Sequence, residues 1–295
     1  MKKRKDLITL PEKLIILDYS GTLSRDAALF ARSEDLMKHL EDSGLKDLGI
    51  DKPEKYWEDI VNPTWLEGST TSAGYKKVME ERLTAILIQN LFIIKPVLEA
   101  TEIPYTHIVD TVSLFVENYF KYSRIDRCWE PILYKMHQCP SIRTIIATDH
   151  YAEATGFIIH FLQELQIHAI SAKEDSILSH AVAFIIANSA DIGVHKADRR
   201  FWEILKSSPK MEKIRHILLI DDFGYNEQRG DHYGDFRNVN TRRENTVSIL
   251  QSLFSAEIEV FPFMIDDGQL SNDEIYENLV MSAAASIEPY LVYGY

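Results

Sequence analysis

Three apolar runs, far apart in the chain and each closed by a carboxylate or hydroxyl, constrain this sequence more than anything else in it. Leu14-Ile15-Ile16-Leu17 runs into Asp18, Ile142 to Ala147 into Thr148-Asp149, and His216 to Ile220 into Asp221-Asp222. Apolar runs this short predict strands buried on both faces. Segments with a helical period separate them. Strands alternating with helices build a parallel sheet, because parallel neighbours need a crossover and the crossover helices cover the faces. The expected fold class is therefore α/β. In such sheets ligands bind outside the carboxyl ends of the strands, where Asp18, Thr148-Asp149 and Asp221-Asp222 all fall.

From Ala27 to about His137 the helical period dominates, as in Phe30, Leu36, Met37 and Leu40, then Val78, Leu83 and Ile86, then Val112, Phe115 and Tyr119. Pro53, Pro63, Pro96, Pro104 and Pro131 divide it into several helices. The expected organisation is a core of residues 1–24 and 138–295 interrupted by a helical insertion at 25–137. Within the core, helices are expected at Ala154 to Leu165, around Phe201 to Leu205, near Asn245 to Phe254 and at Asn272 to Ile287. Short strands are expected at Ile167 to Ser171 and Ile258 to Phe263, and Ala181 to Ala187 reads equally as strand or helix. The most apolar long stretch, Leu83 to Leu98, carries Gln89, Asn90 and Lys95, so it reads as a buried helix and not a membrane span.

A net charge of −13, from 45 acidic and 32 basic residues, argues against a surface built for nucleic-acid phosphates or anionic membranes. The basic start, Met1-Lys2-Lys3-Arg4-Lys5, leads into no apolar run of a targeting signal and reads as a solvated leader. Cys128 and Cys139 are too few for a disulfide framework and suit a reducing, cytoplasmic setting.

The first motif, Leu17-Asp18-Tyr19-Ser20-Gly21-Thr22-Leu23, ends a strand in a turn that presents a carboxylate. Taken singly, each such element has an ordinary reading: a turn, a helix cap or a solvated lysine. Their joint occurrence, in order and at strand ends, carries more. With Ile146-Ala147-Thr148-Asp149, Gly193-Val194-His195-Lys196-Ala197-Asp198-Arg199-Arg200-Phe201 and Leu219-Ile220-Asp221-Asp222-Phe223-Gly224-Tyr225-Asn226, the set resembles the four motifs of the haloacid dehalogenase superfamily of phosphohydrolases. Ala197 stands where that family usually has proline. The interval 148 − 18 = 130 residues leaves room for the cap domain that many members insert after the first motif. The resemblance implies a Rossmann-like core with a helical cap and hydrolysis of a small phosphorylated substrate through an aspartyl-phosphate. It makes Asp18 the nucleophile and Lys196 the offsetting charge, and has Thr148, with Asp149 and Lys196, bind phosphate. Magnesium would be held by Asp18, the Ser20 backbone carbonyl and Asp222, with Asp221 either a ligand or the holder of a metal-bound water.

One position departs from the pattern. Phosphatases of the family usually place a second aspartate two residues after the nucleophile to protonate the leaving oxygen, and here that residue is Ser20. A serine hydroxyl is a poor acid or base near pH 7, and such catalysis is worth about 10²–10⁴-fold. Three readings follow: a phosphohydrolase with an unusual second half-reaction, a catalytically weak module that binds a phosphate ligand or a protein, and, less favoured, a dehalogenase or C–P bond hydrolase. His150 and His195 are expected to be polar neighbours. Trp57, Trp65, Lys76, Lys77 and Arg82 are expected to serve helix packing and solvated faces, and the acidic segment from Asp266 to Glu277 a solvated loop and helix start.

Overall fold

Strand β1 (Lys13–Leu17) lies in the middle of a six-stranded sheet with β2 (Ile142–Thr148) on one side and β5 (His216–Asp221) on the other. With β3 (Ala169–Ser171), β4 (Phe184–Asn188) and β6 (Glu257–Pro262) the order is β3-β4-β2-β1-β5-β6, and every pairing is parallel. The computed structural model describes residues 10–94, 104–174, 183–227, 236–266 and 268–292. Leu17 stands opposite Ile146 on β2 and Ile220 on β5, so the residues that follow the three strands emerge side by side.

Side chains alternate between the faces, as strand geometry requires. Ile15 and Leu17 pack into one apolar cluster, while Leu14 and Ile16 pack into another; Leu218 and Ile220 divide from Ile217 and Leu219 in the same way. The first cluster continues through Phe30, Phe115 and Trp129 of the inserted helices, and the second through Phe201, Trp202 and Leu250. Both faces are thus covered at the centre of the sheet, which is why Leu14–Leu17, Ile145–Ala147 and Ile217–Ile220 are apolar, whereas the edge strand β6 alternates exposed glutamates with apolar residues.

Between β1 and β2 come α1 (Arg25–Phe30), α2 (Ser33–Ser43), α3 (Pro53–Lys55), α4 (Asn62–Thr70), α5 (Gly74–Ile94), α6 (Tyr105–Tyr122) and α7 (Glu130–His137). A π-helical turn at Tyr56–Val61 joins α3 to α4. After β2 follow α8 (Glu153–Glu164), α9 (Ser189–Ile192), α10 (Arg199–Lys206), α11 (Phe236–Phe254) and α12 (Asp273–Leu291). The Ser24 hydroxyl caps α1 by accepting the Ala27 amide, and Asp198 caps α10 by accepting that of Arg200. The segment that read as strand or helix is strand β4 from Phe184, with Ala181 and Val182 outside the described residues. Helix α11 starts well before Asn245; from Arg237 to Glu244 it buries only Val239, so this part shows little apolar periodicity in the sequence. The Leu83 to Leu98 stretch is helical through Ile94, and its remainder lies outside the described residues. Among the described residues no helix is long and apolar enough to cross a membrane.

Polar contacts tie the inserted helices to the carboxyl edge of the sheet. The Glu153 carboxylate accepts the amides of Tyr75 at 2.8 Å and Lys76 at 3.2 Å, satisfying the start of α5. Ser189 donates to the Ser69 carbonyl at 2.6 Å, and the Ser69 hydroxyl meets His195 Nε2 at 2.7 Å. On the opposite side the Tyr19 hydroxyl donates to the Ser123 carbonyl.

Candidate active site

The register of β1 with β5 delivers Asp18, Asp221 and Asp222 to one place, where an oxygen from each lies within 4.8 Å of the others. Lys196, on the loop before α10, reaches in from the side. Its Nζ donates to Asp18 Oδ1 at 2.5 Å and to Asp221 Oδ2 at 2.9 Å. The main chain of that lysine is held at both ends: its amide donates to Asp149 Oδ1 at 2.8 Å and its carbonyl accepts the Trp202 indole at 2.7 Å. The other carboxylates are oriented by backbone amides. Asp221 Oδ1 accepts from Phe223 at 2.6 Å, and the two oxygens of Asp222 accept from Gly224 and Asn226, each at 2.9 Å.

Gly21 is required by this packing. Its φ is +73°, and a Cβ there would lie 2.6 Å from Asp222 Oδ2. Asn226 binds three loops together: its side-chain amide donates to the carbonyls of Gly21 at 2.9 Å and Phe263 at 2.8 Å, while its side-chain oxygen accepts the Ile265 amide at 2.9 Å.

Three buried carboxylates share one buried ammonium. When all are ionised, two negative charges remain uncompensated. Burial pushes Asp222 up to about 8, with Glu227 and Asp221 adding to the effect. Asp18 is also raised well above the ordinary carboxylate range, first by burial and then by Asp221 and Asp222, against the opposing pull of Lys196. Hard oxygen donors and a charge deficit of two suit a small divalent cation such as magnesium, and the residues present fit one. Asp18 and Asp222 are the better ligands, since both line the cavity in which an ion would sit and Asp221 does not.

A cavity of about 70 Å³ opens over these carboxylates, with room for roughly five waters at about 10–15 Å³ each. Asp18, Ser20, Thr148, Asp149, Asp222 and Glu227 form its floor, and Tyr56, Trp57, Trp65, Tyr75, Tyr119 and Tyr151 its aromatic wall. The π-helical turn contributes Tyr56, Trp57 and Val61 to that wall, a local distortion of the kind that recurs at functional sites. His150 also lines the cavity. Its Nδ1 accepts the Tyr151 amide at 2.8 Å, so the neutral ring carries its proton on Nε2, 2.9 Å from the Tyr119 hydroxyl. Burial lowers its pKa to about 3, which makes it a neutral hydrogen-bonding neighbour and not a base charged near pH 7.

All seven residues singled out from the motifs converge here: Asp18, Ser20, Thr148, Asp149, Lys196, Asp221 and Asp222. Asp149 binds the Lys196 backbone, which makes it a support for the lysine. Trp57 and Trp65, read from sequence as packing residues, both pack against the core and line the cavity. Lys76, Lys77 and Arg82 are absent from the lining, and Arg82 is turned to the Asp59 carbonyl at 2.6 Å. Sequence reasoning missed Glu227, whose Oε1 accepts the Ser20 hydroxyl at 2.7 Å. No local signal marks it, since it lies in an irregular turn beyond the fourth motif.

No protein-family model matches the chain, and no curated protein sequence matches it. Two solved structures are similar to it. One is L-2-haloacid dehalogenase from Xanthobacter autotrophicus with chloropropionic acid covalently bound, at a TM-score of 0.41 and 10% identity, over 91% of this chain and 88% of that one. The other is a predicted HAD-like family hydrolase from Porphyromonas gingivalis, at a TM-score of 0.38 and 14% identity, over 92% of this chain and 98% of that one. Likenesses of this size do not bear on the chemistry, which the side chains carry.

Proposed function

We propose that this chain is a magnesium-dependent phosphohydrolase of the haloacid dehalogenase type, acting on a small phosphorylated molecule through an aspartyl-phosphate on Asp18. The observation that carries the reading is the contact of Lys196 with both Asp18 and Asp221 beside Asp222, at the carboxyl ends of adjacent parallel strands. Bound between Asp18 and Asp222, magnesium would offset the repulsion between an anionic nucleophile and an anionic phosphoryl group. Lys196 holds Asp18 in line for attack and adds positive charge where the phosphoryl oxygens gather. The Thr148 hydroxyl, on the cavity floor, is a donor for one of those oxygens. The inserted helices, residues 25–137, act as the cap that excludes water and shapes the substrate.

The wall of that cap favours a flat or apolar leaving group. Its five aromatic residues, with Tyr151 of the core, offer rings and no cationic group, whereas a second phosphate or carboxylate on the substrate would face Asp149 and Glu227. Benzyl phosphate is therefore expected to be a better substrate than a hexose phosphate. The free thiols of Cys128 and Cys139 suit a cytoplasmic setting.

Magnesium-dependent phosphate release from benzyl phosphate, absent in Asp18→Asn, is the expected result. Full activity in that variant would remove Asp18 as nucleophile and the reading with it. Ser20 supports a second reading, a phosphate-binding module without turnover. Calorimetry with magnesium and beryllofluoride separates the two, because a module would bind tightly and release nothing. Halide displacement is disfavoured on charge: a 2-haloacid anion would enter a site where the single lysine is already engaged by two carboxylates.

A further inference from the structure

We infer that Glu227 is the proton-transfer carboxylate of this site, taking the part that an aspartate at position 20 plays elsewhere; the inference rests on the phosphohydrolase reading above. The Ser20 hydroxyl donates to Glu227 Oε1 at 2.7 Å across 207 residues of sequence. Serine thus occupies the position two residues after the nucleophile, and the acidic group arrives from another loop.

Glu227 is half-buried and lines the same cavity as Asp18, Thr148 and Asp222. Its place is fixed through the preceding residue. Asn226 gives its amide to Asp222 and its side chain to the Gly21 carbonyl, so residues 20–21 and 226–227 form one rigid unit. A carboxylate held this way beside the reacting centre is a general acid–base candidate by geometry. The hydroxyl of Ser20 orients it, as the third member of a catalytic triad orients its base.

The proton balance is simple. In the first half-reaction an Asp18 oxygen bonds to phosphorus, the bond from phosphorus to the leaving oxygen breaks, and that oxygen takes the proton of the Glu227 carboxyl. In the second, water attacks the aspartyl-phosphate, the Glu227 carboxylate takes a proton from the water, and the bond from phosphorus to Asp18 breaks. Inorganic phosphate leaves, and both side chains return to their starting forms.

The test compares benzyl phosphate, whose alkoxide must be protonated to leave, with p-nitrophenyl phosphate, whose phenolate need not be. kcat/KM reports the first half-reaction. Glu227→Gln should lose about 10²–10⁴-fold in kcat/KM on benzyl phosphate and far less on p-nitrophenyl phosphate, while Asp18→Asn loses both. Calorimetric binding of magnesium with beryllofluoride should survive in Glu227→Gln, which separates lost proton transfer from lost structure. The double variant Ser20→Asp/Glu227→Gln should recover much of the benzyl phosphate rate by placing a carboxyl group at position 20. Wild-type kcat/KM on benzyl phosphate in Glu227→Gln, or equal losses on the two esters, overturns the inference and leaves the phosphohydrolase reading standing if Asp18→Asn is inactive. A wild-type protein that hydrolyses neither ester in magnesium overturns both.

Discussion

The ammonium of Lys196 lies 2.5 Å from an oxygen of Asp18, with the two side chains only 7% and 6% exposed. A buried pair of this kind has already lost its hydration, so removing one member leaves the other charge stranded. Lys196→Met keeps the length and removes the charge. It should cost about 3–5 kcal/mol in urea unfolding and about 10²–10³-fold in phosphate release. Unfolding at the wild-type midpoint would show that the pair contributes nothing to stability.

Gly21 and Gly49 allow a controlled comparison. Both have positive φ, but a Cβ at Gly21 would lie 2.6 Å from Asp222 Oδ2, whereas one at Gly49 meets nothing within 4 Å. Each alanine variant should lose about 1–3 kcal/mol from backbone strain. Gly21→Ala alone should also weaken magnesium binding in calorimetry, because the methyl group displaces Asp222. Equal magnesium affinity in the two variants would contradict this.

Metal binding and pH are linked through Asp222. Its folded pKa, pushed up to about 8, lies above the unfolded carboxylate value of about 4, so between those limits the folded form holds a proton that the unfolded chain has released. The stabilisation is complete below about pH 4 and is lost as the pH rises towards 8. Magnesium competes for the same oxygens, so its stabilising thermal shift should be larger at pH 8 than at pH 6 and should vanish with chelator. Asp222→Asn should show a smaller pH dependence and a smaller magnesium shift, the remainder coming from Asp18, which is also raised by burial.

His150 acts in the opposite direction. Burial lowers its folded pKa to about 3, below the unfolded histidine value of about 6.5. As the pH falls through that window, the unfolded chain takes up a proton that the folded ring refuses, and stability is lost. Denaturant unfolding at pH 7, 5 and 4 should give a shallower loss for His150→Asn than for the wild type.

Trp65 stands in the cavity wall, edge-on to Tyr151 at 5.3 Å between ring centroids. Trp65→Ala should raise KM for benzyl phosphate about tenfold, the scale of one lost apolar contact surface, and should scarcely affect methyl phosphate. Equal changes for the two esters would mean that the wall does not touch the leaving group.

The parallel sheet and the anchors of the site were legible because both are local signals. Leu14–Leu17, Ile145–Ala147 and Ile217–Ile220 are apolar on both faces, and a residue following such a strand lands on the ligand-binding edge whatever the helices between do. Helix α11 was half hidden for the converse reason: its first turns are solvated, and solvated turns leave little periodicity to read.

Sequence alone therefore determined a parallel α/β core, a long helical insertion after the first strand, and the convergence of Asp18, Thr148, Lys196 and Asp222. Only the tertiary structure decided that Asp149 and Trp202 clamp Lys196, that the aromatic residues of the insertion wall the cavity, and that Glu227 meets Ser20. Those contacts join residues with no shared period or motif, brought together by loop paths and helix packing. The surroundings of Ser20 are one of them: the residue is a departure from the motif in the sequence, and in the folded chain it has a carboxylate 2.7 Å away.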